Sequence, residues 1–194
     1  AATGNLVVNA GRDATVTDAS AIEGDVTITA GRDADGGITV TAAEGTVTVN
    51  AAGNITLTNA TAAETVVLDN TGAEAGDDII ITNADSATSV TVTSVGAVTA
   101  TAGNGLDEVT SLTVTAAEAS AIDADGTTDD QAITLNAAEP DGDATVFTLE
   151  ASDVETLTLG GSSAIIVSVD VADISTETVT STNAVSAMLD YTAA

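Results

Sequence analysis

The chain has 194 residues and carries 30 acidic side chains against two arginines, Arg12 and Arg32, with no Lys and no His; its formal net charge of −28 excludes nucleic acid as a partner, because phosphate binding needs clustered cations. Cysteine is absent, which removes disulfides and thiol chemistry, and no run of about 18 apolar residues is present to span a membrane. Hydrophobic residues make up 44% but aromatics only 1%, Phe147 and Tyr191, which suits a narrow interior of Val, Ile, Leu and Ala better than a sandwich or barrel core.

The first elements repeat one another: GNLVVNAGRDA (4–14), GDVTITAGRDA (24–34) and GTVTVNAAGN (45–54), with leading glycines 20 and then 21 residues apart. Each opens with a turn residue and alternates apolar with polar positions, so that Leu6 and Val8, Val26 and Ile28, and Val47 and Val49 share one face of a strand. Period two inside a period of about twenty predicts an all-β fold, a β-solenoid of the parallel β-helix or β-roll kind with about 20 residues per coil. Tandem small β-sandwich domains are the alternative architecture. ETVVLDN (64–70) continues the inward pair with Val66 and Leu68, and DIIITNA (78–84) offers Ile79 and Ile81. Alternating segments follow at 89–94, 111–116, 131–137, 145–150, 154–161, 164–170 and 176–181, separated by turn clusters. Some nine or ten coils are expected, about 45 Å of stack at ~4.8 Å per strand. Asn9, Asn50, Asn59, Asn83, Asn136 and Asn183 are read as corners, since Asn tolerates the left-handed backbone of a sharp turn. The chain is read as a single repetitive domain, 1–194, with a weak boundary expected near 138–144 around Pro140, the only proline.

Three acidic loops are candidate cation sites. AGNGLDEVT (102–110) fits the glycine-rich nonapeptide of calcium-binding β-rolls at every specified position but the first. There Gly103 and Gly105 free backbone carbonyls to turn toward an ion, Asp107 supplies a carboxylate, and Val109 points into the core. AEAGDDIII (73–81) keeps Gly76, Asp78 and Ile80, with Asp77 alongside. IDADGTTDD (122–130) groups Asp123, Asp125 and Asp129 around a glycine, an oxygen-rich turn suited to calcium's irregular coordination. The alternative for each loop is ordinary turn chemistry on an acidic surface.

These loops, the Ala/Thr/Asp/Gly-rich strands and the segment SDVETLTLGGSS (152–163) resemble the RTX-like, type I-secreted surface-layer and adhesin proteins of Gram-negative bacteria, over much of residues 73–181. The AGRD and GNITLT phrases resemble coils of filamentous haemagglutinins, mainly within 4–58. The resemblance implies an extracellular or cell-surface location, calcium-dependent export and assembly, and contact with cell-surface glycans.

The leading functional expectation is a non-catalytic structural protein of the bacterial exterior: a surface layer, extracellular filament or matrix, or adhesin segment that self-assembles and is stabilised by calcium. Its first coil, 4–10, reads like an interior one, and 181–194 is apolar with one charge, Asp190; uncapped ends of that kind favour head-to-tail association, unless the chain is excised from a longer solenoid. A β-helical polysaccharide-active enzyme would need paired carboxylates such as Asp77 with Asp78 or Asp129 with Asp130. Neighbours on a strand face opposite ways, however, and aromatic platforms for sugar are missing, so no catalysis is expected. Ice binding is the other alternative, because T-x-T recurs from Thr15/Thr17 to Thr156/Thr158. The first four intervals are 12, 12, 7 and 10 residues, so these pairs are expected to spread over several faces.

Overall fold

In the computed structural model, residues 4–17, 23–39, 44–60, 62–84, 86–100, 106, 108–124, 131–151, 154–170 and 178–192 are described. Alternating Val, Ile, Leu and Thr form two parallel sheets, of nine and eight strands, and from β2 onward each coil gives one strand to each. The first sheet contains β1 (Leu6–Ala10), β2 (Val26–Ala30), β4 (Thr46–Ala51), β6 (Thr65–Asp69), β8 (Ser89–Thr93), β10 (Ser111–Ala116), β12 (Gln131–Ala137), β14 (Val154–Gly161) and β16 (Thr178–Ser181), in that spatial order. The second runs through β3 (Ala34–Thr39), β5 (Ile55–Asn59), β7 (Ile79–Ile81), β9 (Val98–Ala100), β11 (Ser120–Asp123), β13 (Thr145–Glu150), β15 (Ile165–Asp170) and β17 (Ala187–Thr192). Parallel neighbours need a crossover, and here the crossover is the opposite sheet itself. This is a β-solenoid; parallel pairing throughout and one continuous apolar core set aside the tandem-sandwich alternative. Among the described residues, no helix is long and apolar enough to cross a membrane.

Register turns the sequence repeat into ladders. Leu6, Val26, Val47, Val66, Val90, Leu112, Ile133 and Leu157 pair in succession, and Val8, Ile28, Val49, Leu68, Val92, Val114, Leu135 and Leu159 form the second inward row. Val26, Ile28, Val47, Val49, Val66 and Leu68 are completely buried, whereas Leu6 and Val8 are half-buried because β1 has a neighbour on one side only. On the second sheet Leu57, Ile81, Ala100, Ile122, Leu149 and Val169 make one inward row. Phe147, the largest fully buried side chain, is paired with Ser120 on one side and Val167 on the other, so a small neighbour offsets its bulk. The Ser120 hydroxyl is satisfied there: it accepts the Val98 N–H at 2.9 Å and donates to the Glu118 carbonyl at 3.0 Å.

The period is longer than the opening repeats imply, roughly 22 residues. Successive partners lie 19 residues apart from Val47 to Val66, but 24 apart from Val66 to Val90 and from Ile133 to Leu157. The added residues sit in two wide turns between the sheets, one with Gly76 at φ +90° and the other with Gly142 at φ +84°. The second of these is the 138–144 segment; both sheets continue past it. Asn9, Asn50 and Asn136 are not corners. They lie within β1, β4 and β12 at outward positions, and the alanine after each turns inward to begin the corner.

Leu68→Ala removes a side chain enclosed by coils on both sides and is expected to cost about 2–5 kcal/mol by chemical denaturation, whereas Val7→Ala, at a position 61% exposed, should stay within about 0.5 kcal/mol of the parent.

Candidate functional site

The corners carry the polar architecture. A strand entering a sheet needs a partner for its first N–H, and here an Asx side chain of the preceding coil supplies it. Ahead of the first sheet, Asn5 Oδ1 accepts the Asp25 N–H at 3.1 Å, and Asp25 Oδ1 accepts the Thr46 N–H at 2.9 Å. Ahead of the second sheet, Asp33 Oδ1 accepts from Asn54 N at 3.2 Å, Asn54 Oδ1 from Asp78 N at 2.8 Å, and Asp78 Oδ1 from Ala97 N at 2.8 Å. Four of these five oxygens, all but that of Asn54, lie against a glycine of the next coil. A Cβ on Gly24, Gly45 or Gly96 would come within 2.5–2.6 Å of the oxygen of Asn5, Asp25 or Asp78. The recurring glycine is therefore a matter of clearance: its missing side chain makes room for the coil-to-coil hydrogen bond. The two cations flank these corners, and Arg32 Nε lies 3.9 Å from Asp13 in an exposed pair that contributes little.

Of the predicted cation ligands, Asp77, Asp78 and Asp123 are described, while Asp107, Asp125, Asp129, Gly103 and Gly105 lie outside the described residues, as does Asp130. Asp78 is a rung of the corner ladder. Asp77 closes its own turn, its Oδ2 accepting the Glu74 N–H at 3.1 Å next to the positive-φ Gly76. The two neighbouring carboxylates are thus committed to different backbone amides. In the 102–110 loop Val109 points into the core as expected, and Leu106 is buried with it. The Val109 N–H donates to the Leu106 carbonyl at 3.2 Å, the turn also made by Ala63 on Ala60 and by Ala87 on Ala84, so a general corner accounts for this part of the loop. Asp123 ends β11 in register with Glu150 of β13, and both line a shallow surface depression with Thr99, Ala121 and Thr148. Among the described residues, no group of three or more His, Cys, Asp or Glu side chains is arranged to hold a metal ion.

Sequence reasoning missed the buried polar residues. Asn70 is fully buried at a corner, its Nδ2 donating to the Asp77 carbonyl at 2.8 Å and its Oδ1 accepting the Val95 N–H at 3.0 Å. The signal was present in the break of alternation at Leu68-Asp69-Asn70. Gln131 is 2% exposed, and among the described residues neither polar atom of its amide has a hydrogen-bond partner.

The outward face of the first sheet also departs from expectation. Its central column reads Val7, Thr27, Thr48, Val67, Thr91, Thr113, Thr134, Thr158, Thr180. One flanking column holds Thr46, Thr65, Ser89, Ser111, Ala132, Thr156 and Thr178, and the other Asn9, Thr29, Asn50, Asp69, Thr93, Thr115, Asn136 and Gly160. Five of the T-x-T pairs, at 27/29, 46/48, 91/93, 113/115 and 156/158, therefore share one face, while Thr56/Thr58 lies on the second sheet, so the expected spread holds only in part. Uneven spacing misled because Thr56/Thr58, which belongs to the other half of the coil, and Thr39/Thr41, whose second member lies outside the described residues, were counted in the same series.

Comparison with known proteins gives no matching family model, no matching curated protein and no matching solved structure.

Since an amide oxygen accepts as a carboxylate does, Asp78→Asn should leave the melting temperature nearly unchanged with and without calcium. Asp78→Ala, which strands the Ala97 N–H, should lose about 1–3 kcal/mol in both conditions. A calcium-ligand role would instead make the Asn variant lose any calcium-dependent stability.

Proposed function

We propose that this chain is a non-catalytic structural segment of the bacterial cell exterior, part of a surface layer, extracellular filament or adhesin, that associates end to end and is stabilised by calcium. The observation that carries the reading is the continuous parallel pairing of the first sheet through nine strands. Stacking of this kind gives a stiff element whose length grows by adding coils, and each coil depends on its neighbours rather than on a closed core. The outermost described strands, β1 and β16 in one sheet and β3 and β17 in the other, have a neighbour on one side only. Val179 of β16 is 45% exposed in the row that Leu157 occupies one coil below, where it is buried. Another coil in the same register, from a second copy or from flanking sequence, would cover it and pair the open backbone edge.

Calcium enters as a counter-ion. With −28 formal charges the chain repels itself, and Asp123 and Glu150 stand on adjacent strands in register, where like charges oppose one another. A hard divalent cation accepts carboxylate oxygens at such a surface. The resemblance of the loops and of segment 152–163 to type I-secreted surface proteins supports the exterior location and the part given to calcium. In this reading glycans of the cell surface are the partners beyond the chain itself.

Melting in millimolar calcium should occur above melting in chelator at matched ionic strength, and light scattering should report larger species in calcium. Equal melting temperatures together with a strictly monomeric species at high protein concentration would contradict the proposal.

A further inference from the structure

Among the described residues, nearly all of the acidic side chains stand off the outward face of the first sheet. Asp69 belongs to one of its columns and Asp25 stands just before β2, but from β8 to β16 the columns hold Thr, Ser, Ala, Asn and Gly only; Glu155, the extra residue at the β12–β14 register shift, stands at the margin. For a chain of net charge −28 this is a separate kind of surface. Its central column, Thr91, Thr113, Thr134, Thr158 and Thr180, runs without interruption. Among the described residues these five hydroxyls make no hydrogen bond within the protein, and the one bond on the flanking columns' hydroxyls is from Asn136 Nδ2 to Thr115 Oγ1 at 3.3 Å. Water is therefore their partner.

Parallel in-register pairing places these groups on a grid of about 4.8 Å along the stack and about 6.6 Å between alternate residues of a strand. The β-branched threonine is held to few rotamers, so methyl and hydroxyl repeat from coil to coil. A rigid, uncharged, periodic surface of that kind holds its hydration water in rows, with methyls confining the waters that the hydroxyls anchor. The grid is similar in scale to the repeat of water molecules on a face of ice. Charged side chains would orient water radially and break such rows, and they are missing where the grid is most regular. We propose that the outward face of the first sheet from β8 to β16 binds ice, with Thr91, Thr93, Thr113, Thr115, Thr134 and Thr158 as the contact grid. The ligand is crystalline water, and the inference is independent of the end-to-end association above.

The outward face of the second sheet supplies the internal control. Its corresponding column is mixed, running through Thr56, Ile80, Thr99, Ala121, Thr148, Ser168 and Asp190. The test is thermal hysteresis and inhibition of ice recrystallisation by the full chain, compared with Thr113→Lys, Thr134→Lys and Ser168→Lys, each first checked for an unchanged circular dichroism melt. The parent and Ser168→Lys should separate freezing from melting and shape the growing crystal, and both threonine variants should lose the effect. If a lysine lowers the melt, Thr113→Tyr, bulky but strand-compatible, takes its place with the same expected loss. A parent without hysteresis or recrystallisation inhibition would overturn the proposal, including one that instead dimerises through this face; so would activity that survives all the threonine substitutions.

Discussion

The contact on which this molecule depends is the one between a coil and the coil beneath it. Within a coil the two strands lie in different sheets, so nearly every strand hydrogen bond joins residues about twenty positions apart. The Asx oxygens at the corners extend that ladder beyond the strand ends, and they are why Gly24, Gly45 and Gly96 precede or approach strand starts. An amide bonded in this way is satisfied without water, which lets the corners stack as closely as the strands do.

The other features follow from that spacing. Rows of identical positions ~4.8 Å apart favour β-branched and small side chains, which explains a core of Val, Ile, Leu and Ala and the placement of the single phenylalanine next to Ser120. Carboxylates suit turns, where coils diverge and water is near, better than the middle of an in-register column, where each would meet its like. The neutral threonine face and the acidic turns are thus two results of one stacking rule. Polar groups enter the interior where a corner offers partners, as Asn70 does with the Asp77 carbonyl and the Val95 amide.

Much of the fold was legible because period-two alternation within a long repeat has few other solutions, and the inward rows from Val26 to Leu68 fall where alternation puts them. The coil length was less legible, since the wide turns at Gly76 and Gly142 resemble linkers when read one at a time. The threonine face was hidden by the same irregularity: intervals in sequence mix two sheets, and register alone separates them. The acidic motifs were ambiguous because a carboxylate that caps the next coil and one that awaits a cation occupy similar glycine-flanked turns. Asp78 belongs to the first kind by its bond to Ala97 N, a partner 19 residues away that local sequence does not reveal.

A double-mutant cycle at Asp25 and Gly45 tests the coil-to-coil rule most directly. A methyl at Gly45 meets Asp25 Oδ1 before any backbone atom, and the same oxygen holds the Thr46 N–H. Gly45→Ala and Asp25→Ala should each destabilise the protein. Together they should cost less than the sum of the two, by about 0.5–3 kcal/mol, because the methyl then enters space the carboxylate has left. Strict additivity in denaturant unfolding would contradict the account, for it would mean that the glycine and the aspartate of adjoining coils do not share the contact that sets the stack.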